Sequence, residues 1–372
     1  MTSTTKSSAN IDLGHMKAAL GLARRGLGLV WPNPAVGCVL VKDGRVVGRG
    51  HTAAGGRPHA ETQALAQAGE QARGATAYVT LEPCSHHGKT GPCAEALIQA
   101  GIARCLVAVD DPDPRVSGRG LEMLRKAGVQ VELGLCRQEA AELNAGFFSR
   151  ITQGRPLVTL KSAGSLDGRI ATHSGESKWI TGPEARAAGH LLRAEADAIM
   201  VGSTTAITDN PDLTCRLAGL EGRSPVRVVV DSRLRLPLTS KLVATAKQVP
   251  TWLVTVAGND PERLLAYEGC GVEIIEVPAG EEGVNLPAVL KALGERGLTR
   301  LLVEGGAHLS AALLHHDLVD RIAWFRAPLL IGGDGLAAVV PFGIDRLEQA
   351  PRFTRLSVAE FGGDIFEYLT RD

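Results

Sequence analysis

The sequence predicts an α/β protein built from two units. Three observations carry this reading. Apolar, strand-like runs alternate with helical stretches along most of the chain, which implies crossover units covering a sheet. The length of 372 residues suits two domains better than one or three. Aromatic residues make up only 4% while glycine numbers 44, so the core rests on Ala, Val, Leu and tight backbone turns.

The elements follow in order. Residues 1–10 are polar and Ser/Thr-rich and read as a loose tail. Residues 12–25 read as a helix, with Leu13, Met16, Leu20 and Ala23 near a 3.6-residue period. Apolar runs flank Asp43 and Gly44, a hairpin signal. Residues 58–72 read as a helix with Pro58 near its first turn. Strands are expected at 75–81, 104–109 and 129–133, and helices at 92–100 and 120–127, each closed by a glycine. A short helix at 137–144 precedes Gly146, Gly154 and Pro156, which mark a boundary. A fresh strand at 157–163 opens the second unit. Further strands are expected at 198–201, 226–230, 252–255, 272–277, 300–304 and 321–325.

Composition narrows the function classes. The net charge is zero, +4 over residues 1–150 and −4 over the rest, which excludes a generally basic nucleic-acid binder. No run approaches the ~20 apolar residues that span a bilayer. The N-terminus lacks the apolar centre of a signal peptide, so the expected location is the cytoplasm and no membrane partner is expected. Seven cysteines, an odd number in a long chain, argue against a disulfide framework.

The sharpest signal is His59-Ala60-Glu61 followed by Pro83-Cys84 and Pro92-Cys93. One imidazole and two thiolates suit zinc, and three protein ligands leave a fourth position for water. Bound water then approaches a pKa of about 7 and needs a proton shuttle, for which Glu61 stands two residues from His59. Zinc deaminases use this set, with the glutamate not a ligand, but with two residues between the cysteines instead of the eight found here. The insert carries His86, His87 and Lys89. A structural zinc site would want a fourth ligand, which His86 or His87 could supply. Cys38, Cys105, Cys136, Cys215 and Cys270 read as small hydrophobes.

The back half lacks a Gly-x-Gly-x-x-Gly fingerprint, so an ordinary Rossmann reading loses support. An apolar strand does run into Gly305 and Gly306 and then a helix, a turn that suits phosphate but is common without one. The hydroxyl-rich turn Ser203-Thr204-Thr205 reads equally as an ordinary helix cap.

These motifs resemble the bifunctional deaminase/reductase family of riboflavin biosynthesis. The matching stretches are PNPAVG at 32–37, VKDG at 41–44, PHAE at 58–61, TAYVTLEPCSHHG at 76–88, DPDP at 111–114 and GRG at 118–120. In the back half they are SLDGR at 165–169, SGESKWIT at 174–181, DNP at 209–211, LTCR at 213–216, VDS at 230–232 and VEGG at 303–306. The resemblance covers nearly the whole chain beyond residue 10. It implies a cytidine-deaminase-like three-layer domain over residues 11–147, a linker at 148–156 and a dihydrofolate-reductase-like domain over 157–372.

The resemblance also implies the chemistry. The front domain hydrolyses the 2-amino group of 2,5-diamino-6-(5-phosphoribosylamino)pyrimidin-4-one. The back domain uses NADPH to reduce the ribosyl group of the product to ribityl. His59, Cys84 and Cys93 match the ligands of one zinc ion per chain and Glu61 the shuttle. Asn33, His51, His86 and Lys89 match positions contacting the pyrimidine or phosphate. Ala163, Trp179, Thr205, Asp209, Ser232, Gly306, Ala307, His308, Leu309, Ser310, Ala311 and Ala312 match nucleotide-contacting positions. Ser177, Arg193, Leu213, Arg216 and Glu304 match substrate positions of the reductase. Arg193 and Arg216 suit a ribose phosphate, and Arg193 reads alternatively as a solvated helix residue. Asp209 or Glu304 could assist a proton transfer. Self-association as a dimer or tetramer through the reductase domain is implied as well. The rival reading is a zinc deaminase acting on another nucleobase or on nucleic acid, which wants a basic, aromatic-laced surface. Further rivals are a non-enzymatic zinc-stapled scaffold and a chain with one inactive domain.

Overall fold

In a computed structural model, residues 2–87, 91–281 and 283–372 are described, 2–8 by their backbone alone. The chain divides into two units, Met1–Gly154 and Arg155–Asp372.

The first unit runs α1 (Thr2–Arg24), β1 (Gly37–Lys42), β2 (Arg45–His51), α2 (Ala60–Ala68), β3 (Thr76–Val79), α3 (Cys93–Gln99), β4 (Arg104–Val107), α4 (Arg119–Lys126), β5 (Gln130–Leu133), α5 (Arg137–Leu143) and α6 (Ala145–Gln153). Its five strands lie in the order β2-β1-β3-β4-β5. The hairpin β1–β2 is antiparallel, as is β1 to β3, while β3, β4 and β5 are parallel. Helices cover both faces, giving three layers: α1 meets α5 on one side, and α2, α3 and α4 pack in succession on the other. Glycines set the spacing of these layers. A Cβ on Gly37 would lie 1.9 Å from the Ala19 carbonyl of α1, and one on Gly50 2.3 Å from the Ala60 carbonyl of α2. Ala60 and Ala64 are fully buried there, so α2 is pressed onto β2 through small residues and its first turn is held rigidly.

Two expectations are corrected. Residues 2–10, expected within a loose tail, are helical: α1 begins at Thr2. Extending a helix already anchored from Asp12 costs little, so polar Ser/Thr turns continue it without an apolar period to announce them. The linker expected at 148–156 is occupied through Gln153 by α6, and the division falls after Gly154, whose φ of 71° ends that helix.

The second unit contains β6 (Leu157–Gly164), β7 (Arg169–Ala171), α7 (Pro183–Glu195), β8 (Ala198–Gly202), α8 (Ser203–Asp209), β9 (Val226–Val230), α9 (Lys241–Ala244), β10 (Thr251–Val256), α10 (Pro261–Gly269), β11 (Glu273–Val277), β12 (Ala279–Gly280), β13 (Gly283–Val284), α11 (Leu286–Glu295), β14 (Arg300–Glu304), α12 (Ala307–His315), β15 (Arg321–Arg326), β16 (Leu336–Ala337), β17 (Phe353–Phe361) and β18 (Asp364–Arg371). Nine strands form one sheet in the order β11-β10-β9-β8-β14-β6-β15-β18-β17. Strands from β11 to β15 pair in parallel, and the apolar runs of the central strands β8, β10 and β14 are buried on both faces. The closing hairpin β17–β18 is antiparallel. The chain lays down β6, leaves a gap, builds β8 to β11 outward, then returns to fill the gap with β14. The turns after β8 and β14 are thereby neighbours at the carboxyl edge of the sheet, the usual place for a ligand crevice.

Candidate active sites

His59 is the extended residue before α2, and Glu61 lies in that helix's first turn. Cys84 follows β3 in a turn whose carbonyl accepts the Ala94 N–H at 3.2 Å, and Cys93 opens α3. Three donors converge in consequence. His59 Nδ1 is 3.3 Å from Cys93 Sγ and 3.7 Å from Cys84 Sγ, and all three atoms lie within 4.8 Å of one another. A tetrahedral zinc with typical bond lengths asks for N–S separations of about 3.5 Å, so this donor set fits the ion. Among the described residues no fourth His, Cys, Asp or Glu joins the group. His87, a candidate fourth ligand by sequence, is exposed and lies 3.8 Å from Glu95 instead.

The electrostatics suit the same reading. Hydrogen bonds from the Cys93 thiol, from His59 and from the Cys93 N–H at 3.3 Å bring the Cys84 thiol down to about 4 against its burial. Glu61 is 3% exposed, and burial, followed by the Cys84 thiolate, pushes its carboxyl up to about 7. That carboxyl reaches the Cys93 thiol, so it stands beside the trio without being one of it.

His59, Glu61 and Cys84 line a cleft of about 320 Å³ within the first unit. Asn33 and His86 line it too, and the buried Nδ1 of His86 has no hydrogen-bond partner among the described residues. Asn33 is wedged against Gly56, where a Cβ would fall 1.9 Å from Asn33 Nδ2. His51 is not among the lining residues; its carbonyl accepts from Gln63 Nε2. Lys89 lies outside the described residues. Sequence reasoning missed one wall, Asp111, Asp113, Arg115 and Val116, and another from α6, Phe147, Arg150 and Ile151. The DPDP stretch at 111–114 was the available signal for the former.

In the second unit, Gly305 and Gly306 carry φ of 86° and 83°. A Cβ on Gly306 would come within 3.0 Å of Thr205 Oγ1, so the turns after β14 and β8 touch. Gly306 caps α12, whose first turn contains Ala307, His308 and Leu309; Ser310 Oγ donates back to the Gly306 carbonyl, and Ala311 and Ala312 follow. Free N–H groups at this helix start and the absence of side chains at both glycines fit a nucleotide phosphate. Ala163 lies near the carboxyl end of β6, opposite Phe325 of β15. Ser232 follows β9, and its carbonyl accepts from Asn259 Nδ2 at 3.2 Å. Trp179 is 67% exposed with the Arg186 guanidinium 4.4 Å from its ring centroid. Ser177 and Asp209 are also exposed.

Arg193 behaves differently from both readings of the sequence. It is neither solvated nor presenting a free fork: Nε and Nη2 donate to the two oxygens of Glu304 at 2.6 and 2.8 Å, and Nη1 to the Thr214 carbonyl at 3.0 Å. A phosphate cannot take the same edge, because Glu304 already occupies it. Lys161 Nζ lies 3.6 Å from Glu304. Leu213 is buried with φ of 53°, and Arg216 is exposed, 3.9 Å from Asp212.

Comparison with known proteins matches both units. Residues 9–109 match the family "cytidine and deoxycytidylate deaminase zinc-binding region", and residues 156–366 match "RibD C-terminal domain". The riboflavin biosynthesis protein RibD of Aquifex aeolicus is 44% identical over 97% of this chain and 99% of its own length. That of Escherichia coli is 41% identical over 96% and 99%. Among solved structures, Acinetobacter baumannii RibD superposes with a TM-score of 0.87 at 40% identity, covering 98% of this chain and 99% of that one. The Thermotoga maritima diaminohydroxyphosphoribosylaminopyrimidine deaminase/5-amino-6-(5-phosphoribosylamino)uracil reductase gives 0.85 at 34% identity over 98% and 100%.

Proposed function

This chain belongs to the RibD family of riboflavin biosynthesis proteins, and on that footing we propose which of its residues carry each activity. It is a bifunctional enzyme, a zinc-dependent hydrolytic deaminase and an NADPH-dependent reductase. It deaminates 2,5-diamino-6-(5-phosphoribosylamino)pyrimidin-4-one, water replacing the 2-amino group as ammonia leaves, and then reduces the ribosyl group to ribityl. Deamination of nucleic acid is not favoured, since the relatives match across the reductase half as well.

In the deaminase, His59, Cys84 and Cys93 hold zinc. Zinc so bound supplies Lewis acidity that brings water within reach of deprotonation at neutral pH. Glu61 takes a proton from the attacking water on a carboxylate oxygen and returns it to the departing amine. A carboxyl raised toward neutrality by burial suits both directions of that transfer. Asn33 and His86 contact the pyrimidine or its phosphate; His51 and Lys89 belong to this set by resemblance alone.

In the reductase, NADPH supplies the hydride. Thr205 and residues 306–312 seat its phosphates, with Ala163, Trp179, Asp209 and Ser232 along the rest of the nucleotide. Ser177, Leu213 and Arg216 receive the phosphorylated ribose, and Arg193 orients Glu304 toward it. Self-association through this unit, as a dimer or tetramer, is supported by β17 at the sheet margin, where Leu356 and Val358 are exposed. A cytoplasmic location is supported by the free thiols that Cys84 and Cys93 need; no described helix is long and apolar enough to cross a membrane.

The convergence of His59, Cys84 and Cys93 beside buried Glu61 carries the reading. The test supplies the diamino substrate with and without NADPH and follows ammonia and NADPH separately. Ammonia appears without cofactor, and oxidation begins only after deamination; oxidation of NADPH by the undeaminated substrate would overturn the order.

A further inference from the structure

Glu82 is a buried carboxylate that no step above uses. It stands two residues before Cys84 and is 3% exposed. Among the described residues no ion pair involves it. Four backbone N–H groups converge on it instead: Gly120 at 3.0 Å and Leu121 at 3.4 Å on Oε1, Gly118 at 3.0 Å and Asp111 at 3.3 Å on Oε2. A carboxylate offers about four acceptor positions, and all are filled by donors from one stretch, residues 111–121.

The backbone is shaped for this. Gly118 has φ of 84°, and a Cβ on Gly120 would lie 2.1 Å from the Pro83 carbonyl. Both glycines therefore let the start of α4 press against the turn that carries Cys84. Glu82 is a cap for α4 supplied from the segment that follows β3.

From Glu82 the bonds continue outward. Asp111 N–H donates to Glu82, Asp113 N–H donates to Asp111 Oδ1 at 2.8 Å, and Arg115 donates to Asp113 through its N–H at 2.9 Å and Nε at 3.0 Å. The relay ends at a guanidinium that lines the cleft and is 68% exposed. His86 lies near enough to Asp113 to influence its charge. One wall of the cleft thus carries, beside Asp111 and Asp113, a guanidinium that Asp113 holds by Nε and Nη2 and whose place is set, through three short links, by Glu82.

We propose that Glu82 is a positioning residue of the deaminase: through the Asp111–Asp113–Arg115 relay it fixes the Arg115 guanidinium, whose edge not taken by Asp113 receives the substrate's phosphate. This rests on the deaminase reading above. Glu82 touches no reacting atom, so its effect falls on binding of the phosphorylated substrate rather than on the chemical step.

The experiment compares Glu82→Gln with the unaltered full chain. The amide keeps the size but turns an N–H donor toward N–H donors. The expected result is a KM for the phosphorylated substrate raised tenfold or more, kcat within threefold, one zinc per chain and unchanged reductase turnover. With the dephosphorylated substrate, kcat/KM is expected to be the same for both proteins. Arg115→Ala should reproduce the KM rise, and the double variant should be no worse than either. Loss of zinc, a fall in kcat at constant KM, or equal loss on both substrates would overturn the proposal. Should Glu82→Gln fail to fold, Arg115→Ala carries the test, and an unchanged KM there overturns it. Failure of the deaminase reading itself would show separately, as full activity in Glu61→Gln.

Discussion

Arg193 grips both carboxylate oxygens of Glu304, at 2.6 and 2.8 Å, across the gap between α7 and the end of β14. Burial alone would push the Glu304 carboxyl up, yet Lys161 and Arg193 hold it down to about 2. A depressed carboxyl contributes stability that is fully present above its unfolded value of about 4.5 and is lost as pH falls from there through about 2. Acid unfolding of the reductase unit should therefore steepen in that window. Glu304→Gln should flatten the window and cost about 3 kcal/mol or more at pH 7, because it leaves a buried guanidinium short of its partner. Urea unfolding at pH 7 and pH 3 measures both; equal losses at the two pH values would contradict the pairing.

Replacing Glu61 by Gln should abolish proton transfer while leaving the three donors intact. Ammonia release is expected to fall by about 10²- to 10⁴-fold, the usual worth of a positioned acid–base group. Metal analysis should still find one zinc per chain, and the variant should reduce chemically deaminated substrate at the normal rate.

Removing the metal should separate the activities. Cys84→Ser or exhaustive chelation should stop deamination. NADPH oxidation with the deaminated intermediate should continue, since residues of Arg155–Asp372 hold that site. Loss of both activities together would mean that zinc supports more than the deaminase.

Arg216 is exposed, with only a loose pair to Asp212, so it is available to an anion in a way Arg193 is not. Arg216→Ala should raise the reductase KM by about 10- to 100-fold, the worth of a hydrogen bond to a charged group. Deaminase kinetics should not change.

Gly120→Ala should destabilise the deaminase unit by about 1–3 kcal/mol, since the new methyl meets the Pro83 carbonyl at 2.1 Å. Gly21, with nothing within 4 Å of its missing Cβ, is the control, and Ala there should be neutral or stabilising. Chemical denaturation of the two variants makes the comparison.

Much of the fold was legible because its strands are apolar and bounded by turn residues. The hairpin at Asp43-Gly44 and strand β14 (Arg300–Glu304) emerge where patterning put them. The closing hairpin β17–β18 was overlooked. Its two strands are largely exposed or half-buried, so apolar density is low, although Gly362 and Gly363 between alternating residues were a usable signal. The metal donors were legible because their chemistry is rare at that spacing. The relay through Glu82, Asp111 and Arg115 was not: the DPDP stretch marks its middle, but nothing joins acids and a base spread over more than thirty positions until the chain folds them together. The pairing of Arg193 with Glu304 was hidden for a related reason: its partner lies 111 positions away.

Helix α6 (Ala145–Gln153) bears on how the two enzymes could ever be parted. Phe147, Arg150 and Ile151 form a side of the deaminase cavity, yet the second unit begins at Arg155. A gene split after codon 147 would deliver a deaminase with an open flank, whereas a split after Gly154 would leave that flank closed. Fission of such a fused enzyme, in the laboratory or over evolutionary time, has only a few codons in which to succeed.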